Sequence, residues 1–145
     1  VSKEEQLTFI QLEQMPFPDW LIDAVLCEPN KAFIETASIN DYVNSIILPI
    51  VADELNWPDN LQVTANHVHC SSDGLEPHDH LPHEYTSVLY LIDAEGDLIV
   101  HDDGEHRVTP AEGRFVLMDA RLKHSVEPSN CMRISLVTNY ATTCL

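Results

Sequence analysis

Positive charge is what this chain has least of. Seven Lys and Arg stand against 24 Asp and Glu, a formal net charge of −17 over 145 residues. Such a surface repels nucleic-acid phosphate and anionic lipid, which argues against nucleic-acid and membrane partners. It also makes each remaining cation informative. Among the arginines Arg107, Arg114, Arg121 and Arg133, the last alone sits in a clean apolar strand pattern. No apolar run approaches the roughly 18 residues of a membrane span, and no signal-peptide pattern is read at Val1. The expectation is a soluble, cytoplasmic protein. Ordered cysteine spacing is missing as well: Cys27, Cys70, Cys131 and Cys144 form no CxxC pair. A chain of this length buries about two thirds of its unfolded surface and does not need bridges. Reduced, buried thiols are expected.

What is present changes character near residue 60. In the first part, Leu7–Leu12 reads as a short strand, and Asp19 is a candidate cap for a short helix over Trp20–Leu26. Ser38 or Asn40 then opens a second helix, in which Tyr42, Val43, Ile46, Ile47, Ile50, Val51 and Leu55 recur three and four apart. Pro49 falls inside that pattern and should kink or divide it. From Leu61 the period becomes two. Strands are expected over Leu61–Cys70, Thr86–Ile92, Asp97–His101, His106–Thr109, Phe115–Met118 and Arg133–Tyr140, separated by turn residues such as Ser72-Asp73-Gly74 and Asp102-Asp103-Gly104. Strands at this spacing, with no repeat and no linker, indicate a mainly β sandwich or barrel. The organisation expected for 1–145 is a single domain. Residues 1–58 pack outside a barrel formed by 61–140.

The chemistry-bearing residues lie in that second part. His78 and His80 stand at i and i+2, so on an extended segment both rings point the same way. His124 follows 44 residues later and can close a metal site from another strand. Imidazole suits iron, zinc, copper and nickel alike, so ligand type does not choose the ion. Glu84, four residues after His80, and Asp79 between the histidines are alternative or additional ligands. A second HxH, His67-Val68-His69, reads as lining the barrel or its rim. Beyond His124 comes Arg133-Ile134-Ser135, where the guanidinium offers a fixed fork for a carboxylate.

In order and spacing, the region from Leu61 to Tyr140 resembles the 2-oxoglutarate and Fe(II)-dependent oxygenases, especially their compact prolyl-4-hydroxylase-like branch. Pro77-His78-Asp79-His80 stands where that family has its HxD motif. Thr86 to Leu91 looks like its T-x-x-x-Y-L strand, and Gly96 to Val100 like its G-G-x-L-x-F strand. Pro110-Ala111-Glu112-Gly113 with Phe115 to Met118, then His124-Ser125-Val126-Glu127-Pro128, and finally Arg133-Ile134-Ser135 are similar to the remaining motifs. The resemblance implies a double-stranded β-helix with flanking N-terminal helices. It further implies Fe(II) on His78 and His124, and 2-oxoglutarate on Arg133, aided by Ser135 and Tyr90. The expected activity is hydroxylation of a peptidyl or small-molecule substrate, with release of succinate and carbon dioxide.

One departure stands out. The family's third ligand is a carboxylate, and this chain has His80 there. Alternation aims His80 with His78 and aims Asp79 away, which makes three imidazoles the preferred set. The cupins share this barrel type and place a glutamate shortly after HxH, a spacing that His78, His80, Glu84 and His124 also satisfy. A cupin-type site and a non-catalytic metal- or carboxylate-binding barrel are the competing readings.

Overall fold

A computed structural model describes residues 7–142. In chain order its elements are β1 (Phe9–Leu12), α1 (Trp20–Leu26), α2 (Ala37–Tyr42), α3 (Leu48–Glu54), β2 (Leu61–Ser71), β3 (Leu75–His78), β4 (Tyr85–Tyr90), β5 (Leu98–His101), β6 (Glu105–Val108), β7 (Phe115–Asp119), β8 (Lys123–Val126) and β9 (Arg133–Thr142). The strands form two antiparallel sheets, a five-stranded one in the order β1-β7-β4-β9-β2 and a four-stranded one in the order β3-β8-β5-β6. This is a double-stranded β-helix with the helices on its N-terminal side, as the sequence led us to expect. No helix among the described residues is long and apolar enough to cross a membrane.

The central strands of the larger sheet are buried on both faces: nearly every residue of β4, β7 and β9 is buried, including the polar Thr86, Ser87, Thr138 and Asn139. Their alternation still sorts the side chains. Val88, Tyr90, Val116, Met118 and Val137 point between the sheets and pack with Leu98, Val100 and Val108. Leu89, Phe115, Leu117, Leu136 and Tyr140 point outward and meet Leu21, Val25, Ile39, Val43, Ile47 and Val51 of the helices. Each such side chain, fully buried, contributes about 1.5–3 kcal/mol of transfer free energy. Two layers of apolar contact therefore grip one sheet.

The helical segment resolves the problem that Pro49 sets. Its ring would collide with the carbonyl four residues back, and it has no N–H to donate. The chain answers with a π-helical segment, Val43–Ile47, between α2 and α3, so that Pro49 falls in the first turn of α3. Widening the turn keeps Val43, Ile47 and Val51 on the buried face. The expected cap at Asp19 is not made, because that residue is itself helical and its side chain donates or accepts no capping bond. Thr36 precedes α2, two residues before the expected start.

Two strands are missing from the ranges read in the sequence, although His78 is expected on an extended segment and His124 on another strand. β3 contains Glu76 and Pro77, poor strand formers, and β8 has four residues with an exposed Lys123. They pair with each other across the chain, Leu75 opposite Val126 and His78 opposite His124. Local pattern could not reveal a pairing that depends on a distant partner. The thiols also differ from expectation. Cys27, Cys70 and Cys131 are free, yet Cys27 and Cys131 are exposed and Cys70 is half-buried; Cys144 lies outside the described residues. Leu117→Ala, at a fully buried site beneath the helices, is expected to cost about 2–5 kcal/mol in urea unfolding. A loss under about 1 kcal/mol would mean the helices do not seal that face.

Candidate metal centre

The β3–β8 pairing sets His78 directly across from His124. His80 follows in the turn beyond β3, held there by its own backbone N–H, which donates to the Ala120 carbonyl at 3.0 Å. One ring nitrogen from each of the three histidines lies within 4.8 Å of the others. The Nε2 atoms of His80 and His124 are 3.1 Å apart. Two imidazoles each ~2.1 Å from a shared ion and at right angles to one another would stand about 3 Å apart. The spacing fits a metal.

Tautomers are prepared for the same role. His78 Nδ1 lies 2.8 Å from the Glu76 carbonyl and His124 Nδ1 3.2 Å from the Leu122 carbonyl. In each case Nδ1–H donates outward and leaves the Nε2 lone pair facing its neighbours, the arrangement that second partners of metal-bound histidines impose. His80 has a polar neighbour in Asn139, whose side chain favours its protonated form. The Asn139 Oδ1 atom is buried and accepts no hydrogen bond. It is a natural acceptor for an imidazole N–H. Burial, followed by the neighbouring histidines, pushes His124 down to about 3 and His80 to about 4. Both are therefore neutral at neutral pH, and a metal need displace few protons there.

A cavity of about 300 Å³ opens beside the three rings. Its opposite wall is built by the larger sheet. On β9, Arg133, Ser135 and Val137 point inward; Ser135 lies between His69 on β2 and Tyr90 on β4. Arg133 is 6% exposed and donates from Nη1 to the Glu127 carbonyl at 3.0 Å and from Nη2 to the Asp73 carbonyl. The guanidinium can lie there because Gly96 has no side chain: a Cβ would strike Nη1. Burial lowers the Arg133 pKa, opposed by Tyr90 and Asp73. Burial raises that of Tyr90, which keeps its phenol proton.

Charge pairing singles out two residues. Among the described residues, four of the six Lys and Arg side chains have carboxylate partners: Arg107 with Asp97, Glu105 and Glu127, Arg114 with Glu13, Arg121 with Asp119, and Lys123 with Asp79. Lys31 and Arg133 have none within ion-pair distance, and both line the cavity. Asp73, also in the lining, acts on Arg133 from farther off. A buried cation without a counter-ion is costly. Arg133 is such a cation, whereas Lys31 is exposed at the edge of the cavity; in a chain of charge −17, both favour anionic ligands there.

The other candidates fall elsewhere. Asp79 points away from the rings, accepts from Lys123 at 3.0 Å and from the Leu81 N–H at 3.2 Å, and is held below the usual carboxylate range by that lysine. Glu84 accepts from the Thr142 hydroxyl and N–H at 2.8 and 3.1 Å. Neither alternative carboxylate reaches the triad. His67 and His69 line the cavity, with the His67 ring 6.5 Å from that of His80, but they stand outside the three-histidine group. His83 meets Thr64, His101 meets Ser125, and His106 stacks on Phe9. Lys31 and Asn139 were not singled out from sequence. The available signal for Asn139 was a polar residue in the apolar β9 run; Lys31 gave none.

No family model and no curated protein sequence matches this chain. Solved structures do. A prolyl-4-hydroxylase from Pseudomonas putida superimposes with a TM-score of 0.68 at 16% identity, over 94% of this chain and 93% of that one. The fold is that of the 2-oxoglutarate and Fe(II)-dependent oxygenases. The epimerase SnoN from nogalamycin biosynthesis, solved with Fe3+, α-ketoglutarate and nogalamycin RO, gives a TM-score of 0.72 at 12% identity, over 92% of this chain and 78% of that one. An oxidoreductase of the 2OG-Fe(II) oxygenase family from Burkholderia pseudomallei gives 0.64 at 17% identity over 72% of this chain, which spans 55% of that longer one.

Two outcomes follow from the geometry. His124→Ala removes the ring common to both close pairs, and stoichiometric metal binding should be lost by at least about tenfold in affinity; unchanged affinity would contradict the site. The second concerns the metal-free protein. Folded pKa values of about 4 for His80 and about 3 for His124 lie below the ordinary ~6.5. The unfolded chain thus takes up protons first, so this contribution is whole above pH ~6.5 and is lost as pH falls toward 4. Urea midpoints between pH 7 and 4.5 should drop, and His80→Asn should flatten the slope.

Proposed function

We propose that this chain is an Fe(II)- and 2-oxoglutarate-dependent oxygenase that hydroxylates a peptidyl, prolyl-like or small-molecule substrate. One observation carries the reading: within a single cavity, three clustered imidazoles face a buried guanidinium that has no carboxylate of its own. His78, His80 and His124 would hold the iron, leaving coordination positions for other ligands. Bound there, iron would activate dioxygen with 2-oxoglutarate as the reductant, releasing succinate and carbon dioxide as a hydroxyl group is transferred.

The rest is the work of the side chains. Arg133 presents a fork to the distal carboxylate of 2-oxoglutarate, and two of its donors are already committed to the Glu127 and Asp73 carbonyls, which fixes its plane. Ser135 and Tyr90 offer hydroxyl donors beside it. Val88, Leu98, Val126 and Val137 line the space between and exclude water, so each charge-assisted bond is stronger than it would be in solution. Three neutral rings leave the charge of the ion uncompensated by protein, which favours binding of an anionic co-substrate.

His80 in place of a carboxylate is also what favours a second reading, a barrel that binds metal and a carboxylate without turnover. The cupin-type set loses support, since Glu84 is engaged by Thr142. Anaerobic titration of Fe(II)-loaded protein with 2-oxoglutarate separates the two. We expect a saturable charge-transfer band in the visible, with succinate formed once dioxygen and a substrate are supplied. Arg133→Ala should keep its iron and need at least about tenfold more 2-oxoglutarate, the loss of one charge-assisted contact. Iron bound with no band would favour the second reading.

A further inference from the structure

Arg133 answers one of the two unpaired cations, and Lys31 is the other. It stands in the segment between α1 and α2, which is stitched along β2, the edge strand of the larger sheet. The Lys31 N–H donates to the Val68 carbonyl at 2.8 Å, the Cys70 N–H donates to the Asn30 side chain at 2.8 Å, and the Ile34 N–H donates to the Asn66 carbonyl at 3.0 Å. Phe33 pairs with His67. Lys31 itself takes φ +65°, a left-handed conformation that a residue with a side chain adopts at a cost. The backbone beneath this lysine is therefore fixed. Its side chain reaches the cavity lining and bears on His69.

The neighbouring groups are donors without partners. His67 and His69, two apart on β2, both face the cavity. Among the described residues neither ring makes a hydrogen bond; their ring contacts are with each other and, for His67, with His80. An ammonium beside His69 disfavours a second metal there, because it would repel the ion. The same ammonium attracts an anion, and the imidazole N–H groups can share it.

We propose that the substrate carries a carboxylate, seated by the Lys31 ammonium and the His69 N–H on the wall of the cavity built by β2. The description of that ligand as the oxygenase's prime substrate rests on the function proposed above; the anion subsite does not. One ammonium beside His69 matches a monoanion. A dianion such as a phosphate would meet a single positive charge inside a protein of net charge −17. The carboxylate belongs either to a small acid or to a side chain of a peptide, and the same donors serve both.

Zn(II)-loaded protein, redox-silent and saturated with 2-oxoglutarate, provides the test. Histidine ring resonances are followed while N-acetylproline or hippurate is added, each beside its carboxamide. An N-acetylated, C-amidated tripeptide with a central glutamate, beside its glutamine version, supplies the peptide arm. The expected result is a shift at His69 that saturates at least about tenfold earlier for the carboxylate of one pair. Lys31→Gln should abolish that preference and Lys31→Arg should keep it, with 2-oxoglutarate binding unchanged in both. Equal response to acid and amide in every pair would overturn the subsite, as would a Lys31→Gln variant weakened toward 2-oxoglutarate instead. A Lys31-dependent preference in protein that fails to bind 2-oxoglutarate would sustain the subsite and sink the oxygenase reading.

Discussion

Burial of the five-stranded sheet on both faces is the constraint on which the rest of this molecule depends. Its outward face is covered by the helices and its inward face by the smaller sheet. Neither face is free to move without opening a core. The two sheets then divide the site between them. The smaller contributes His78 and His124, with His80 just beyond, while the larger contributes Arg133, Ser135, Tyr90, His67 and His69. Sheets packed face to face stand ~10 Å apart, a distance that a small dicarboxylate with metal at one end and guanidinium at the other can bridge. A ligand held at both walls would have to match that separation.

Electrostatics sharpens that division. Paired surface cations on this acidic protein contribute little individually, since exposed ion pairs are screened and their side chains lose freedom. The informative cations are those denied a partner. Arg133 is bound to carbonyl oxygens that orient it without neutralising it. Lys31 is brought to the cavity along β2 by a segment pinned to that strand edge. Arg133, buried without a carboxylate partner, costs stability that an anionic ligand would recover on binding.

The three-imidazole cluster differs from the histidine-carboxylate set that the motif pattern would suggest, and the structure shows how the chain accommodates it. Asp79 is drawn to Lys123 on the outer side, and Glu84 is drawn to Thr142. Asn139 offers an unused acceptor beside His80. An imidazole at position 80 can donate to that carboxamide oxygen. The third histidine is therefore matched to its surroundings.

Periodicity in the sequence determined most of the barrel strands and the helical face from Tyr42 to Leu55, except Ile46, which is exposed, because side-chain direction in a strand or helix is fixed by local geometry. The order of His78, His80, His124 and Arg133 was equally legible, since it needs no folding to be read. The ranges of strands β3 and β8 were not: they are four residues each, and their partners, β8 for β3 and both β3 and β5 for β8, are distant in the chain. The fates of Asp79 and Glu84 were likewise decided by Lys123 and Thr142, which lie 44 and 58 residues away. Lys31 carried no pattern at all. Its place at the cavity comes from hydrogen bonds along the edge of β2, and its significance from a carboxylate partner that, among the described cations, only it and Arg133 lack. Local periodicity belongs to the chain; pairing partners, and the absence of one, belong to the folded molecule.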